Sequence, residues 1–419
     1  MTGQAAVAPE RTRAGWPGIA AVVGLVVVQR LVHWYLVGAL GPEQWTAQLT
    51  RWDGGWYREI ALDGYNLGWP GKRSNLAFFP AYPLAGRAVA VVLPGHDVEL
   101  ALLLVGLVSS VVVAWGLVRL GEALHSARMG FCLALLWPVL PRSFVAVMPY
   151  SEAMFTAALV WSLVWMARGR WWAAAVCCAV AGATRPIGAA LVATVAGPLL
   201  WLLLRRVRSA VRRVPAGTVG WTTQPQPVPG MLSLVGAGLL ACFGFLGTVA
   251  HVAHRWGSWD GYLAVQASWN MRMGNPLATL AQWNENFVLW SQGQLGVSLT
   301  GTLFFLPLWT ALLVVSVVMC RTRPTWRLAV LTSGLDFLVM ACAQDYFNSK
   351  ERFLLPAIGL LLPVGWALAT GTRRLEERVR RRTGSARPVQ LALGLGWLAA
   401  AVAAGVFGDY IILHKGIAP

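Results

Sequence analysis

Charged residues are scarce in this 419-residue sequence, at 12% against a hydrophobic share of 57%. A soluble globular domain carries about 25% charged residues, so an ordinary soluble enzyme is excluded. Cysteine is scarce as well, with six in all. Cys132, Cys177, Cys178, Cys242, Cys320 and Cys342 lie in or at the ends of apolar stretches. No pair has zinc-site spacing, so they read as buried thiols. A glycine-rich nucleotide fingerprint, a heptad run and an internal repeat are all lacking. The last absence counts against a transporter, a class in which repeats are common.

What is present is a series of apolar runs, several near or beyond the roughly 20 residues that cross a bilayer. The fold class is therefore all-α, a polytopic transmembrane helical bundle. Spans are expected near 17–40, 98–118, 129–147, 151–167, 171–183, 187–204, 231–253, 298–319, 328–344, 353–370 and 389–411, about eleven in total. Arg11 and Arg13 precede the first run, which is long and without a cleavage site, so it reads as a retained span. Residues 77–94 are apolar but broken by prolines, which suits a short or re-entrant helix near the outer interface.

The net charge of +17 suggests nucleic acid only until the charges are placed. Arg119, Arg128, Arg168, Arg170, the cluster Arg205–Arg213 and the cluster Arg373–Arg387 fall in short segments between apolar runs. Basic residues there orient membrane proteins with that side cytoplasmic, so no nucleic-acid partner is expected. Arg170 and Arg205 then share a face, and the intervening chain must reverse at Ala183-Thr184-Arg185-Pro186, where proline interrupts a helix. Three parts follow: an N-terminal catalytic transmembrane module over 1–204 with an external loop at 41–97, a basic and proline-rich cytoplasmic linker over 205–230, expected to be flexible, and a C-terminal transmembrane module over 231–419 with an external loop at 255–297.

With that topology the unusual polar residues collect at the outer face. The densest island is Arg51-Trp52-Asp53-Gly54-Gly55-Trp56-Tyr57-Arg58-Glu59-Ile60-Ala61-Leu62-Asp63-Gly64-Tyr65, joined by Arg87, Tyr150-Ser151-Glu152, Thr184-Arg185-Pro186 and Asn348-Ser349-Lys350-Glu351-Arg352. Arginines suit a phosphate and a carboxylate can take a proton, which fits an enzyme acting on a lipid-borne anionic substrate. The blander readings stand beside this one. Asp53 suits a helix N-cap, Trp52 and Trp56 suit interfacial anchors, and Arg185 suits a salt bridge to Glu152. Arg30 and Asp336, deeper in their spans, suggest mutual or backbone pairing. His251, His254 and Asp260 are too loosely spaced to make a good metal site.

At these residues the chain resembles the PIG-V family of membrane mannosyltransferases. The resemblance rests on Arg51-Trp52-Asp53-Gly54-Gly55-Trp56-Tyr57 with Tyr65, on Phe78-Phe79-Pro80-Ala81-Tyr82-Pro83-Leu84, on Tyr150-Ser151-Glu152, on Ala183-Thr184-Arg185-Pro186, and on Ser349-Lys350-Glu351-Arg352-Phe353. It implies a GT-C type glycosyltransferase in a bacterial plasma membrane, with its active site facing outside. The implied donor is a polyprenyl-phosphate sugar, mannose by preference, and the implied acceptor a glycolipid, glycan or protein. Asp53 matches the family's base, giving inversion. Arg51, Trp52, Trp56, Tyr57, Tyr82, Glu152, Arg185, Lys350 and Arg352 are the implied substrate-binding residues. No Asp-x-Asp pair occurs, and none is expected, nor a metal cofactor, when the leaving group is a lipid phosphate held by arginines. The alternative is a transporter or flippase of a lipid-linked or small anionic solute.

Overall fold

Long apolar runs with few polar interruptions leave the backbone one way to satisfy itself in lipid, which is to hydrogen-bond within helices. The computed structural model describes residues 14–40, 45–68, 73–140, 142–219, 221–294, 297–344 and 349–414. Seventeen helices run through them: α1 Trp16–Leu40, α2 Trp45–Leu49, α3 Asp53–Asp63, α4 Ala81–Ala90, α5 Val98–Leu124, α6 Ala127–Leu136, α7 Glu152–Ala167, α8 Trp171–Gly182, α9 Gly188–Arg212, α10 Met231–Trp256, α11 Gly261–Ser268, α12 Pro276–Ser291, α13 Val297–Met319, α14 Arg327–Cys342, α15 Lys350–Phe353, α16 Ile358–Thr383 and α17 Arg387–His414.

Helix starts follow local chemistry. Asp97 caps α5 by accepting from the Leu100 amide at 2.9 Å, Ser126 caps α6 through Met129, and Asn275 caps α12 with Pro276 behind it. Pro198, Pro307 and Pro363 sit inside helices, a placement that membrane helices tolerate. Among the described residues, six helices are long and apolar enough to cross a membrane, and four more apolar helices run 10–17 residues. That count stops short of the expected eleven.

The bundle is held by adjacent pairs: α5 packs on α6 and α7, α7 on α8, and α8 on α10. The α5–α6 crossing is close. A Cβ added at Gly121 would lie 2.2 Å from the Gly130 backbone, so small residues set the helix separation. The chain reverses between α8 and α9 at residues 183–187, where the sequence places the break.

Two expectations are corrected. The span expected over 129–147 is not one helix. Pro138 ends α6 after Leu136, and two 3₁₀ turns, Trp137–Val139 and Ser143–Val147, carry the chain onward. The segment 205–230 is not a loose linker. Residues up to Arg212 continue α9, and β1 Thr218–Val219 pairs antiparallel with β2 Gln226–Pro227. This ribbon docks on the α7–α8 turn, where Thr223 N donates to Ala167 O at 2.7 Å and Gln226 Nε2 to Arg168 O at 3.0 Å.

Gly121→Ala is expected to cost about 1–3 kcal/mol by overpacking the α5–α6 crossing. Gly394→Ala, whose added Cβ meets nothing within 4 Å, is the control that changes little. Thermal unfolding in detergent compares the two.

Candidate active site

Asp53 opens α3, and the residue before it is strained. Trp52 has φ 54 and ψ −120 and makes no side-chain capping bond. A non-glycine residue in such a region costs about 1–3 kcal/mol and persists only because its neighbours fix it. Gly54 lies so close to Pro149 that an added Cβ would sit 2.9 Å from the proline ring. The Asp53 amide donates to the Tyr150 hydroxyl at 3.4 Å. Asp53 is thus the first helical residue and not the N-cap, and its carboxylate is turned outward.

That carboxylate meets Arg352. Asp53 Oδ2 is 2.9 Å from Arg352 Nη2, Arg352 Nε is 3.2 Å from Glu152 Oε1, and Arg185 Nη1 is 2.7 Å from the same oxygen. Both arginines and Glu152 are buried, while the Asp53 side chain is 26% exposed. The salt bridge suggested for Arg185 and Glu152 therefore exists, and it belongs to a four-membered cluster. Arg185 Nη1 also reaches Ser151 Oγ at 3.3 Å, and that hydroxyl lies 2.6 Å from the Tyr57 hydroxyl. Arg352 Nη1 makes no hydrogen bond among the described residues.

Charge is balanced here, two carboxylates against two guanidinium groups. Burial presses Arg352 toward losing its proton, but Asp53 and Glu152 beside it more than reverse this and hold it above the ordinary arginine range. Burial raises the Tyr57 phenol above its ordinary value, which keeps it a neutral hydrogen-bonding group.

Asp53, Arg185 and Arg352 open onto one cleft, shared with Tyr57, Phe78, Trp269 and Phe353. Its walls come from both expected modules, Asp53, Tyr57, residues 77–79 and 185–186 from one and Gln266, Trp269, Met271, Ser349, Arg352 and Phe353 from the other. The segment around 255–273 is carried there by specific bonds. Trp269 Nε1 donates to Ser74 O at 2.8 Å, Arg255 Nη2 donates to Tyr65 O at 3.1 Å, and β3 Arg272–Met273 pairs with β4 Ala343–Gln344. Trp56 stands behind this wall, stacked on Phe78 at 6.1 Å and edge-on to Trp269 at 5.1 Å.

The remaining expected site residues lie elsewhere. Tyr82 is buried and ties α4 to α5 through Leu102 O at 2.8 Å. Trp52 packs against the main core, and Arg51 is not among the residues lining the cleft. Lys350 is buried facing away, its Nζ 2.8 Å from Ala343 O and 3.2 Å from Thr279 Oγ1, which corrects its placement beside Arg352. Asn348 lies outside the described residues. Arg30 does not pair with Asp336; its Nη1 donates to Ser143 O at 3.2 Å. Among the described residues no group of three His, Cys, Asp or Glu side chains is arranged to hold a metal ion. Gln266 and Trp269 were not singled out from the sequence, and Phe353 entered only as the last residue of the Ser349–Phe353 motif. The one signal for the first two was the Trp, Asn and Gln richness of their loop.

No protein-family profile matches the chain. Over 149 residues it is 35% identical to GPI alpha-1,6-mannosyltransferase 2 of Rattus norvegicus, and 34% identical to the same protein of Mus musculus. Each match takes in 33% of this chain, and the chain spans 29% of the length of these relatives. These are the PIG-V proteins that the motifs resemble. Among solved structures it superposes on the archaeal oligosaccharyltransferase AglB of Archaeoglobus fulgidus, in complex with an inhibitory peptide and a dolichol-phosphate. The TM-score is 0.52 at 12% identity, over 96% of this chain and 56% of that one. It also superposes on ArnT of Cupriavidus metallidurans bound to undecaprenyl phosphate, at TM-score 0.51 and 16% identity, over 94% and 77%. The fold is that of the GT-C glycosyltransferases. The chain is a multi-pass membrane protein with that architecture.

Arg352 is held in register by its neighbour Glu351, whose Oε2 is 2.7 Å from Arg142 Nε, both side chains being buried. Removing one partner, as in Arg142→Leu, leaves a buried charge and is expected to cost about 3–5 kcal/mol. Replacing both with apolar residues of similar volume should recover most of that loss. A double-mutant cycle of thermal stabilities in detergent reads the difference.

Proposed function

We propose that this chain is a membrane glycosyltransferase that moves a hexose, mannose, from a polyprenyl-phosphate donor to a hydroxyl of a glycolipid, glycan or protein at the outer face of a bacterial plasma membrane. The observation that carries this reading is the convergence of two buried arginines and a partly exposed carboxylate on one cleft, in a GT-C fold. The kinship with mannosyltransferases over a third of the chain supports the sugar, and the lipid phosphates bound to the two structural neighbours support the donor class.

In the proposed reaction Asp53 takes the proton of the acceptor hydroxyl as its oxygen attacks the anomeric carbon. The bond from that carbon to the phosphate oxygen breaks on the opposite side, so the configuration inverts. The lipid phosphate departs with the bonding electron pair, its charge met by Arg185 and Arg352 through charge-assisted hydrogen bonds. These two groups supply the role a metal serves with a nucleotide leaving group, and the reaction as proposed asks for none. Glu152 acts on the arginines, holding both guanidinium groups in place. Tyr57 and Ser151 buttress Arg185. Catalysis is assigned to the module over 1–204, completed by Arg352 and the Gln266–Met271 wall.

Asp53→Asn is expected to lower transfer by about 10² to 10⁴, measured as mannose incorporation in membranes supplied with polyprenyl-phosphate mannose. Full transfer by that variant would remove Asp53 as the base. The same membranes supplied with polyprenyl-phosphate glucose or arabinose should give little product, and a preference for either would overturn the assignment of mannose.

A further inference from the structure

Two like charges stand close together in the acid–arginine cleft. Arg185 Nη1 and Arg352 Nε reach the same oxygen of Glu152, at 2.7 and 3.2 Å. That carboxylate holds the two cations against their mutual repulsion. A single oxygen sets where two guanidinium groups meet, but not how their planes lie. Arg352 has a further anchor in Asp53, though on the proposed reaction that carboxylate turns to the acceptor.

A phenyl ring supplies the missing constraint. Arg352 Cζ lies 4.8 Å from the centroid of the Phe353 ring, and Arg185 Cζ lies 5.2 Å from the same centroid. Both fall within the roughly 6 Å over which an aromatic face attracts a cation. Arg352 Cζ also lies 5.1 Å from the centroid of the Tyr150 ring. Guanidinium groups stack on such faces, which fixes their orientation as well as their distance. Phe353 ends α15 directly after Arg352, is half-buried, and forms part of the cleft wall. A leucine there would fill much of the same space but would offer the two cations no π face. One donor is left over: Arg352 Nη1 is buried without a hydrogen-bond partner among the described residues. An unmade buried donor is costly, and a phosphate oxygen would satisfy it.

We propose that Phe353 is a positioning residue whose ring sets Arg185 and Arg352 as a two-pronged phosphate clamp, with Arg352 Nη1 left for the ligand. The inference rests on the reading that the cleft takes a polyprenyl phosphate. It goes further in assigning the geometry of the clamp to a side chain with neither charge nor hydrogen-bonding group. Phe353 acts through the arginines, so its effect falls on the affinity for the lipid phosphate.

Two measurements on the full chain test this. One is retention of undecaprenyl phosphate by native mass spectrometry in detergent, and the other is transfer in membranes supplied with polyprenyl-phosphate mannose. Phe353→Leu is expected to weaken retention and raise the donor KM, each about tenfold, with kcat kept within about threefold. Phe353→Tyr, which keeps the face, should leave both near wild type. Thermal unfolding checks that the leucine variant folds. Stepwise fluorination of the Phe353 ring withdraws π density at almost constant shape, so retention should fall with each fluorine even where the leucine variant does not fold. Retention unchanged along that series, or a loss in Phe353→Leu confined to kcat, would overturn the clamp and leave the reaction standing. A wild-type chain that retains the lipid phosphate but transfers no mannose would overturn the reaction, while falling retention along the series would still support the clamp. A wild-type chain that retains no lipid phosphate overturns both.

Discussion

A single buried carboxylate, Glu152, joins three parts of the chain that are distant in sequence. Through one oxygen it meets Arg185 in the α8–α9 turn and Arg352 in α15, and Arg352 in turn meets Asp53 at the start of α3. Away from bulk water such contacts are strong, and a missing member leaves an uncompensated charge that costs several kcal/mol. The bundle therefore cannot relax one of these elements without disturbing the others. The start of α3, the α8–α9 turn and the short α15 are joined at this cluster.

Much of this was legible in sequence wherever one residue type dictates one local outcome. Apolar runs gave the helices, and Thr184-Arg185-Pro186 marked the reversal because basic residues on both sides demanded an even number of crossings. Pro138 ended a helix inside an expected span, and only the turns that follow it reveal how the chain continues. The fate of Lys350 could have been read more closely. Residues two apart on a helix point in opposed directions, so Lys350 and Arg352 cannot both face the same phosphate, whereas Glu351 is free to meet Arg142. The Trp269 wall was not legible, since its bond to Ser74 joins residues 195 apart in sequence.

The comparisons divide along the same physical line. Sequence kinship covers a third of the chain, while the fold likeness covers almost all of it at 12% to 16% identity. Lipid-facing positions ask for apolar character more than for a particular side chain, so helix identity drifts while helix arrangement persists. Polar clusters permit no such drift, because each member must satisfy a specific partner.

Asp53 rests 2.9 Å from the Arg352 guanidinium, which it shares with the buried Glu152, and its carboxylate is held there in an ion pair. On the proposed reaction an arriving phosphodiester competes for that same guanidinium. An acceptor that enters first meets a masked carboxylate and keeps its proton, whereas one that enters after the donor meets a base set loose. The order in which two substrates are used is then written into one ion pair, without a lid or any large movement of the bundle.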